Sequence, residues 1–287
     1  MSDTLVRKDR TRALILLSPA YLWLTVAVFL PLSAMAFFSF LSDLPFGGRD
    51  WQVTLANYAA FFQTATYAVL LWKSVKLGLI VTGLCVLTGF PCALVLAKVI
   101  KGRAREALFL LVILPFWSNS LVRIFSWAIV LRGNGVLDRV FNAISPVPMK
   151  INLMFSQSAI VIGLVHSYLP YVILTAYLAL QAIDDSLIEA ARSLGAGRLT
   201  ILRRIILPLS APGLIAGAVL IFVPVVGSFM EPRLLGGRKG TYYGTVIEDQ
   251  FTAVFNWPLG AALSFVLLAV VLAILAAASP ALKGTRT

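Results

Sequence analysis

The chain has 287 residues, of which 60% are hydrophobic and only 13% are charged, and its formal net charge is +12. Soluble domains contain roughly 45–50% apolar and about 25% charged residues, so this composition excludes an ordinary soluble domain. The apolar residues form long blocks, which indicates that lipid is the solvent. In a membrane chain, an excess of basic residues is more typical of cytoplasmic loops than of nucleic-acid binding.

Six apolar blocks approach the length of about 20 residues that a helix needs to cross roughly 30 Å of hydrocarbon. Backbone polar groups must be satisfied inside lipid, so the blocks are predicted to be helices and not strands. The predicted spans are Ala13–Phe38, Ser74–Ala97, Ala107–Leu131, Gln157–Leu180, Ala211–Met230 and Leu259–Ser279. Ser33–Ala36 resembles a signal-peptidase site, but the apolar run before it is too long for a signal peptide, so we expect the first span to be retained.

Basic residues in the loops predict the orientation of the six spans. One side holds fourteen of them: Arg7, Lys8, Arg10, Arg12, Lys98, Lys101, Arg103, Arg105, Arg192, Arg198, Arg203, Arg204, Lys283 and Arg286. The other side holds seven: Arg49, Arg132, Arg139, Lys150, Arg233, Arg238 and Lys239. Cytoplasmic loops carry the excess of Lys and Arg, so both termini are predicted to be cytoplasmic.

The cytoplasmic segment between the fourth and fifth spans, residues 182–210, is too polar to enter lipid but is patterned as two short helices. Ser186 and Glu189 form a capping-box arrangement, and Gly195 is placed where a helix ends in a left-handed cap. Leu187, Ala190, Ala191 and Leu194 then share one apolar face at helical spacing. A second helix over about Leu199–Ile206 is predicted to end at Pro208. We expect a partner protein to cover the apolar face of this cytoplasmic hairpin.

The hairpin carries a spaced motif that resembles the EAA motif of the membrane subunits of binding-protein-dependent ABC importers. The matching residues are Glu189, Ala190, Ala191, Gly195, Ile205, Leu207 and Pro208. The resemblance implies a type I ABC importer permease fold, in which this segment docks into an ATP-hydrolysing subunit. It also implies that Glu189 pairs with a basic residue there and that Gly195 allows close backbone approach. The alternative is that Glu189 and Gly195 only begin and end a helix.

The sequence lacks a phosphate-binding loop, because Gly236–Thr241 does not have the required spacing. We therefore expect no cofactor, no metal and no catalytic residue in this chain, with ATP and Mg²⁺ bound by two separate ATPase subunits. The resemblance further implies a second, homologous permease and a periplasmic substrate-binding protein facing the outer segment from Arg233 to Pro258. Membrane lipid is the remaining expected partner, and nucleic acid is not one.

Several other stretches resemble the spermidine/putrescine branch of this importer family, over roughly residues 54–280. They are Gly89-Phe90-Pro91 with Ala93, Pro115 to Asn119 followed by Leu121-Val122-Arg123, Asn134-Gly135, Tyr168-Leu169-Pro170, Leu234 to Gly237, and Trp257 to Ser264. The resemblance implies a small organic cation as cargo, most simply a polyamine, carried across the bacterial inner membrane.

Two positions depart from that branch, because Ser228 and Arg233 stand where acidic residues are common. Glu231 is positioned to compensate for the missing carboxylates, since cations are bound by carboxylates and aromatic faces. With Arg233 close by, the cargo could instead be an amine that also carries an anionic group, such as an aminophosphonate or an opine.

Candidate groups on the transport pathway lie in or beside the third, fourth and fifth spans. They are Trp117, Asn119, Arg123, Tyr168, Tyr171 and Glu231. An arginine within a span is costly unless paired, so Arg123 is expected to face the bundle interior or water, either lining the pathway or binding backbone carbonyls. The aromatic residues could equally be interfacial, and Glu231 could simply reach water at the end of the fifth span.

The predicted organisation is therefore a cytoplasmic tail (1–12), a first transmembrane helix (13–38), a periplasmic segment (39–73) and a five-helix permease core (74–280) containing the coupling loop (182–210). A transporter driven by an ion gradient is the rival from another class. It would need internal repeats and broken spans that carry ion ligands, and no convincing repeat is visible in the sequence. A membrane-embedded enzyme is a weaker rival, since no nucleophile and base are paired on one side of the membrane.

Overall fold

The computed structural model describes residues 2–44, 50–145 and 150–283, with side chains described over 16–44, 50–145 and 150–278. Arg49 and Arg286, which contribute to the predicted orientation, lie outside the described residues. The side chains of the N-terminal basic residues and of Lys283 are outside the described set as well.

The described residues form thirteen α-helices and no strand beyond an isolated bridge between Leu41 and Val53. In chain order they are α1 (Ser2–Ser39), α2 (Ala56–Gln63), α3 (Ala65–Leu94), α4 (Gly102–Ile113), α5 (Ser120–Leu131), α6 (Val136–Ile144), α7 (Gln157–Gln181), α8 (Asp185–Ser193), α9 (Arg198–Ile201), α10 (Leu207–Val226), α11 (Met230–Gly236), α12 (Tyr243–Thr252) and α13 (Trp257–Lys283). Short 3₁₀ turns cover Leu114–Trp117 and Gly237–Gly240, and π turns cover Val95–Val99 and Leu202–Ile206.

Within the described residues, six helical stretches are long and apolar enough to cross a membrane, so the predicted all-α, six-span class is confirmed. They are Leu16–Ser39, Ala65–Val99, Ser120–Ile144, Gln157–Gln181, Arg198–Val226 and Trp257–Ala278. The second begins nine residues before the predicted Ser74. Large apolar side chains such as Trp23, which is 72% exposed, remain uncovered on these helices, as expected for a lipid-facing surface.

The predicted continuous third span over Ala107–Leu131 is wrong. α4 ends at Ile113, a 3₁₀ turn with Pro115 near its start follows, and α5 begins only at Ser120. Proline has no N–H to donate to the helical ladder, and the backbone is extended at Ser118 and Asn119, which interrupts the helix before α5. Arg123 consequently lies in the first turn of α5 and not in the middle of a helix.

The chain divides into two compact units, one of residues 1–64 and 249–266 and the other of residues 65–248 and 267–287. In the first unit, the end of α1 is tied to α2. Ser39 Oγ and Tyr58 Oη lie 2.8 Å apart, and Asn57 donates from Nδ2 to the carbonyls of Ser39 and Leu41. These bonds order the segment that follows the first span.

In the second unit, α7 packs against both α3 and α10 and is the most buried of the described candidate spans. Gly213 and Gly217 on α10 allow the close approach, because a Cβ on either would collide with α7. The close neighbour of this glycine pair is therefore a helix of the same chain.

Opposite ends of the second unit hold the two predicted classes of loop. Lys98, in the π turn that follows α3, contacts Asp185 at the start of α8, so two residues predicted to be cytoplasmic meet at one end. At the other end, Lys73 contacts the carbonyls of Lys239 and Thr241, and the N–H of Phe155 bonds to the carbonyl of Leu235. These contacts agree with the sidedness that the basic residues predict.

Candidate functional site

The cytoplasmic hairpin begins at a cap two residues earlier than predicted. Asp184 accepts a 2.9 Å hydrogen bond from the N–H of Ser186, and this bond is the largest of the effects that hold the pKa of Asp184 below its ordinary value. The predicted capping box of Ser186 and Glu189 is therefore wrong, because Asp184 takes the capping position. Glu189 does not serve as the reciprocal cap, and its side chain is exposed to solvent.

The first helix of the hairpin, α8, ends at Gly195 in the predicted left-handed cap. Gly195 has φ +82°, its N–H bonds to the carbonyl of Arg192, and the N–H of Ala196 bonds to the carbonyl of Ala191, both at 2.9 Å. These bonds are a Schellman motif. A Cβ built on Gly195 would meet no atom within 4 Å. The glycine is therefore needed for its backbone angle, and the space in front of it is open.

The second helix of the hairpin does not end at Pro208 as predicted. α9, a π turn and α10 form one helical stretch from Arg198 to Val226. A proline inside an α-helix clashes with the carbonyl four residues before it. The N–H of Leu207 bonds to the carbonyl of Leu202, five residues back, so the helical hydrogen-bond pattern is already widened by one residue just before Pro208. The helix can therefore continue through Pro208. Ile205 and Leu207 are half-buried, and Pro208 is exposed.

The apolar residues of the hairpin face two ways, whereas the sequence predicts a single face awaiting a partner. Ile188, Ala191 and Ile201 pack within this chain, in a cluster with Leu96 at the end of α3 and Leu180 at the end of α7. Four leucines within residues 182–210 remain exposed, Leu187 at 49%, Leu194 at 88%, Leu199 at 58% and Leu209 at 51%. Ala190 is exposed as well. One side is thus anchored below the bundle, and the other is uncovered.

A second group of predicted residues meets inside the bundle, where α5, α7 and α11 adjoin. Nε and Nη1 of Arg123 are buried and have no hydrogen-bond partner in the described part of the chain. The charges of Arg123 and Glu231 both lie within electrostatic range of Tyr168. The structure thus places a cationic and an anionic group near the same tyrosine, and it leaves part of the guanidinium available to another ligand.

Glu231 is not the water-reaching residue that the sequence left as an alternative. The fifth span ends at Val226, and Glu231 lies in the first turn of α11, where it is only 8% exposed. Its carboxylate accepts a 2.8 Å hydrogen bond from Ser228 Oγ, so the serine that replaces an acidic residue orients the acidic residue nearby. A buried carboxylate with one side-chain donor retains acceptor capacity for a cationic ligand.

Aromatic rings border this polar cluster. The ring centroids of Tyr168 and Tyr171 are 6.1 Å apart, and Phe116 meets Tyr171 edge-on at 4.5 Å. The sequence prediction missed Phe116, although it adjoins the predicted Trp117. Trp117 itself is 90% exposed and does not join the cluster. Asn119 is exposed and caps α5 by accepting the N–H of Leu121.

Arg233 does not lie free beside Glu231 as the sequence suggested. Its guanidinium pairs with Glu248 of α12 at 2.6 Å. The ion pair connects α11 to α12. Because the charge of Arg233 is already paired, Arg233 no longer argues for an anionic group on the cargo.

Comparison with known proteins identifies the family of the chain. Residues 89–282 match the family described as "Binding-protein-dependent transport system inner membrane component". The chain is 39% identical to the spermidine/putrescine transport system permease protein PotB of Escherichia coli K12, over 85% of this chain and 88% of that protein. It is 37% identical to PotB of Haemophilus influenzae over 84% of each chain.

Solved structures share the fold at lower sequence identity. A chain of a bacterial ABC transporter that imports alginate matches with a TM-score of 0.75 and 18% identity, over 98% of this chain and 99% of that chain. The MetNI methionine ABC transporter matches with a TM-score of 0.58 and 17% identity, over 77% of this chain and 96% of that chain. At these identities the likeness shows the ABC importer permease fold alone.

Proposed function

The chain belongs to the family of binding-protein-dependent transport system inner membrane components, and we propose that it is the permease subunit of an ATP-driven importer of polyamines. It is a multi-pass inner membrane protein and a transport component. The observation that carries the proposal is the hairpin, where Gly195 opens onto empty space beside the exposed leucines Leu187 and Leu194. An exposed apolar patch with a polar surround is typical of a docking surface.

In the proposed cycle, one of two ATPase subunits, which bind ATP and Mg²⁺, grips the hairpin of this chain, and the other grips a second, homologous permease. Glu189 is exposed on α8 and free to pair with a basic residue of the ATPase. Closure of the two ATPase subunits moves the hairpins, and the permease pair turns from inward-open to outward-open. ATP shifts the equilibrium between the inward-open and outward-open states only because it binds the complex with different affinity in the two states. This chain contributes no catalytic group and no cofactor of its own.

A polyamine is the proposed cargo because the interior cluster offers what an alkylammonium needs. Glu231 supplies a buried carboxylate, and Tyr168 and Tyr171 supply aromatic faces for cation–π contact. The curated relatives with the spermidine/putrescine name support the same cargo. A periplasmic binding protein would deliver it to the outer segment that begins at Arg233, and lipid surrounds the spans.

One observation favours a second cargo class, an amine that also carries an anionic group. Two buried nitrogens of Arg123 have no hydrogen-bond partner among the described residues, and a guanidinium binds carboxylate or phosphonate well. Arg123 belongs, however, to the stretch that resembles the polyamine branch, and Arg233 is already paired with Glu248. The polyamine proposal therefore has the stronger support.

Crosslinking tests the docking part of the proposal. With Cys85 and Cys92 replaced by serine, a cysteine at position 194 should crosslink to the ATPase subunit, while a cysteine at the exposed Arg238 of the outer segment should not. Failure of the position-194 cysteine to reach the ATPase in an assembled, active complex would overturn the proposal.

Substrate binding tests the cargo. The partner binding protein should bind spermidine or putrescine, and the complex in proteoliposomes should take it up only with ATP inside. Replacement of Glu231 by Gln should weaken uptake of the cation while leaving the amount of assembled complex unchanged. Preferential binding of an aminophosphonate would support the second cargo class, and uptake by this chain alone without ATP would support a gradient-driven transporter.

A further inference from the structure

Lys98 joins the inner end of α3 to the start of the cytoplasmic hairpin. Its Nζ donates two short hydrogen bonds, 2.6 Å to the carbonyl of Ile183 and 2.6 Å to Oδ1 of Asp185. The first bond reaches the backbone just before α8, and the second reaches the first residue of α8. One ammonium group therefore holds the N-terminal end of the helix that carries Glu189.

This contact is more sheltered than an ordinary surface ion pair. The side chain of Lys98 is only 11% exposed, although Asp185 is 68% exposed. Lys98 lies in the π turn Val95–Val99, which ends the helical stretch that α3 begins. Charge-assisted hydrogen bonds from a shielded ammonium are stronger than hydrogen bonds between neutral groups. We therefore call this contact a tie, meaning a pair of bonds that fixes the start of α8 to the π turn after α3.

The outer end of α3 has a corresponding tie. Lys73 donates to the carbonyls of Lys239 (3.1 Å) and Thr241 (2.8 Å), and its Nζ lies 4.2 Å from the centroid of the Tyr242 ring. The next residue, Ser74, accepts a 3.0 Å bond from the N–H of Tyr243, which is fully buried. Lys73 therefore binds backbone carbonyls of the segment that follows α11.

These two ties are separated by a full membrane thickness. Lys73 and Lys98 are 25 positions apart along one helical stretch, Ala65–Val99. At about 1.5 Å per residue this is about 38 Å, more than the roughly 30 Å of hydrocarbon. The segment tied at the outer end, Gly237–Tyr243, directly follows α11, which carries Glu231 of the interior cluster.

We propose that α3 is the connecting element that passes movement of the cytoplasmic hairpin to the outer segment, with Lys98 as the inner positioning residue and Lys73 with Ser74 as the outer grip. The inference rests on the proposed function, because the hairpin moves only if an ATPase subunit grips it. Apolar packing of Ile188 against Leu96 holds the hairpin near α3. The ammonium bonds are directional and set the angle of α8, so their loss should affect transmission more than folding.

The test measures cargo uptake per ATP hydrolysed by the assembled complex with its binding protein in proteoliposomes. Lys98→Met removes both bonds and should lower this ratio about tenfold, within the 5–150-fold range of typical coupling between sites. Lys98→Arg keeps a cationic donor and should restore most of the ratio. Lys101→Met is the matched control, because Lys101 acts on Asp185 only through its charge and should leave the ratio unchanged.

The double variant tests whether the two ties act along one path. Lys73→Met should also lower the ratio, and Lys76→Met, which removes an exposed lysine three residues away, should not. If α3 connects the two ties, Lys73→Met with Lys98→Met should fall no further than the lower single variant. If the losses of the two single variants multiply to about a hundredfold in the double variant, Lys73 and Lys98 act independently, and the inference is overturned.

The remaining outcomes are decisive as well. An unchanged ratio in Lys98→Met, or an equal loss of uptake and hydrolysis, would overturn the positioning role. If Lys98→Met does not accumulate in the membrane, Asp185→Asn replaces it, since that variant keeps the bond to Ile183. Its ratio should fall by a smaller factor, and an unchanged ratio would overturn the inference. A position-194 crosslink that forms while Lys98→Met stays fully coupled would refute this inference alone, whereas absence of that crosslink in the otherwise wild-type complex would refute the proposed function.

Discussion

Substitutions at Gly195 separate two free-energy costs, that of folding the hairpin and that of docking the hairpin onto a partner. Its φ of +82° is strained for any residue with a Cβ, at about 1–2 kcal/mol, and asparagine tolerates it better than most. A Cβ there meets nothing within 4 Å, so the space itself adds no cost within the described chain. Alanine and tryptophan should therefore destabilise the isolated subunit by similar amounts, and asparagine by less.

Docking should respond to side-chain size instead. If an ATPase subunit occupies the open space at Gly195, a tryptophan must be accommodated by displacement of packed groups, which costs about 1–3 kcal/mol. That corresponds to a further loss of about 5–150-fold in coupled uptake relative to alanine. Gly195→Asn should remain close to wild type in both measurements.

The assay pairs thermal unfolding of the purified subunit with uptake by the reconstituted complex. Each kcal/mol of destabilisation should lower the melting temperature by about 2–4 °C, and the Ala and Trp variants should agree within that range. Equal uptake by these two variants would refute the reasoning, because it would mean that no partner occupies the space in front of Gly195.

Three further predictions follow from contacts elsewhere in the chain. Asp138 is 4% exposed and accepts bonds from two backbone N–H groups and one side-chain amide, so Asp138→Ala should destabilise by about 3 kcal/mol or more. At about 2–4 °C per kcal/mol the melting temperature should fall by about 6 °C or more, and a smaller shift would contradict this. Gly217→Leu should disrupt the packing of α10 on α7 by about 1–3 kcal/mol, measured by thermal unfolding, whereas Gly83→Leu, where a Cβ meets no atom within 4 Å, should not. The bond from Lys98 holds the pKa of Asp185 below its ordinary value of 3.8, so the pair persists above that value and is lost only as pH falls through the lowered pKa. Uptake per ATP should therefore not titrate through this pair between about pH 5 and about pH 8, and a transition there that Asp185→Asn abolishes would contradict it.

Features that depend on neighbouring residues could be predicted from the sequence. The number of spans follows from runs of apolar residues, although the predicted bounds of the third were wrong. The left-handed cap at Gly195 follows from a glycine at the end of a helical pattern. The interruption near Pro115 could have been anticipated from the proline itself. Pro208 misled the prediction because a π turn before it, which the local pattern does not reveal, lets the helix continue.

Features that depend on distant residues could not be predicted. Burial of Glu231 and its bond to Ser228 arise from the way α11 packs against the bundle. Gly163 on α7 allows that packing, since a Cβ there would collide with Leu235. Trp117 and Asn119 match the same motif as Arg123, yet both are exposed, because the backbone between α4 and α5 leaves the helical conformation at Ser118 and Asn119.

The amino-acid sequence alone therefore determined the solvent and the number of crossings, and it predicted the sidedness of the loops and a docking hairpin, because each depends on composition or on spacing along a short stretch. Only the tertiary structure decided which face of the hairpin is uncovered and which charged side chains lie near Tyr168. It also decided that Lys98 binds the carboxylate of Asp185, 87 positions away. Contacts of that kind depend on how helices pack, and the packing energy of a helix is spread over many side chains that no local pattern records.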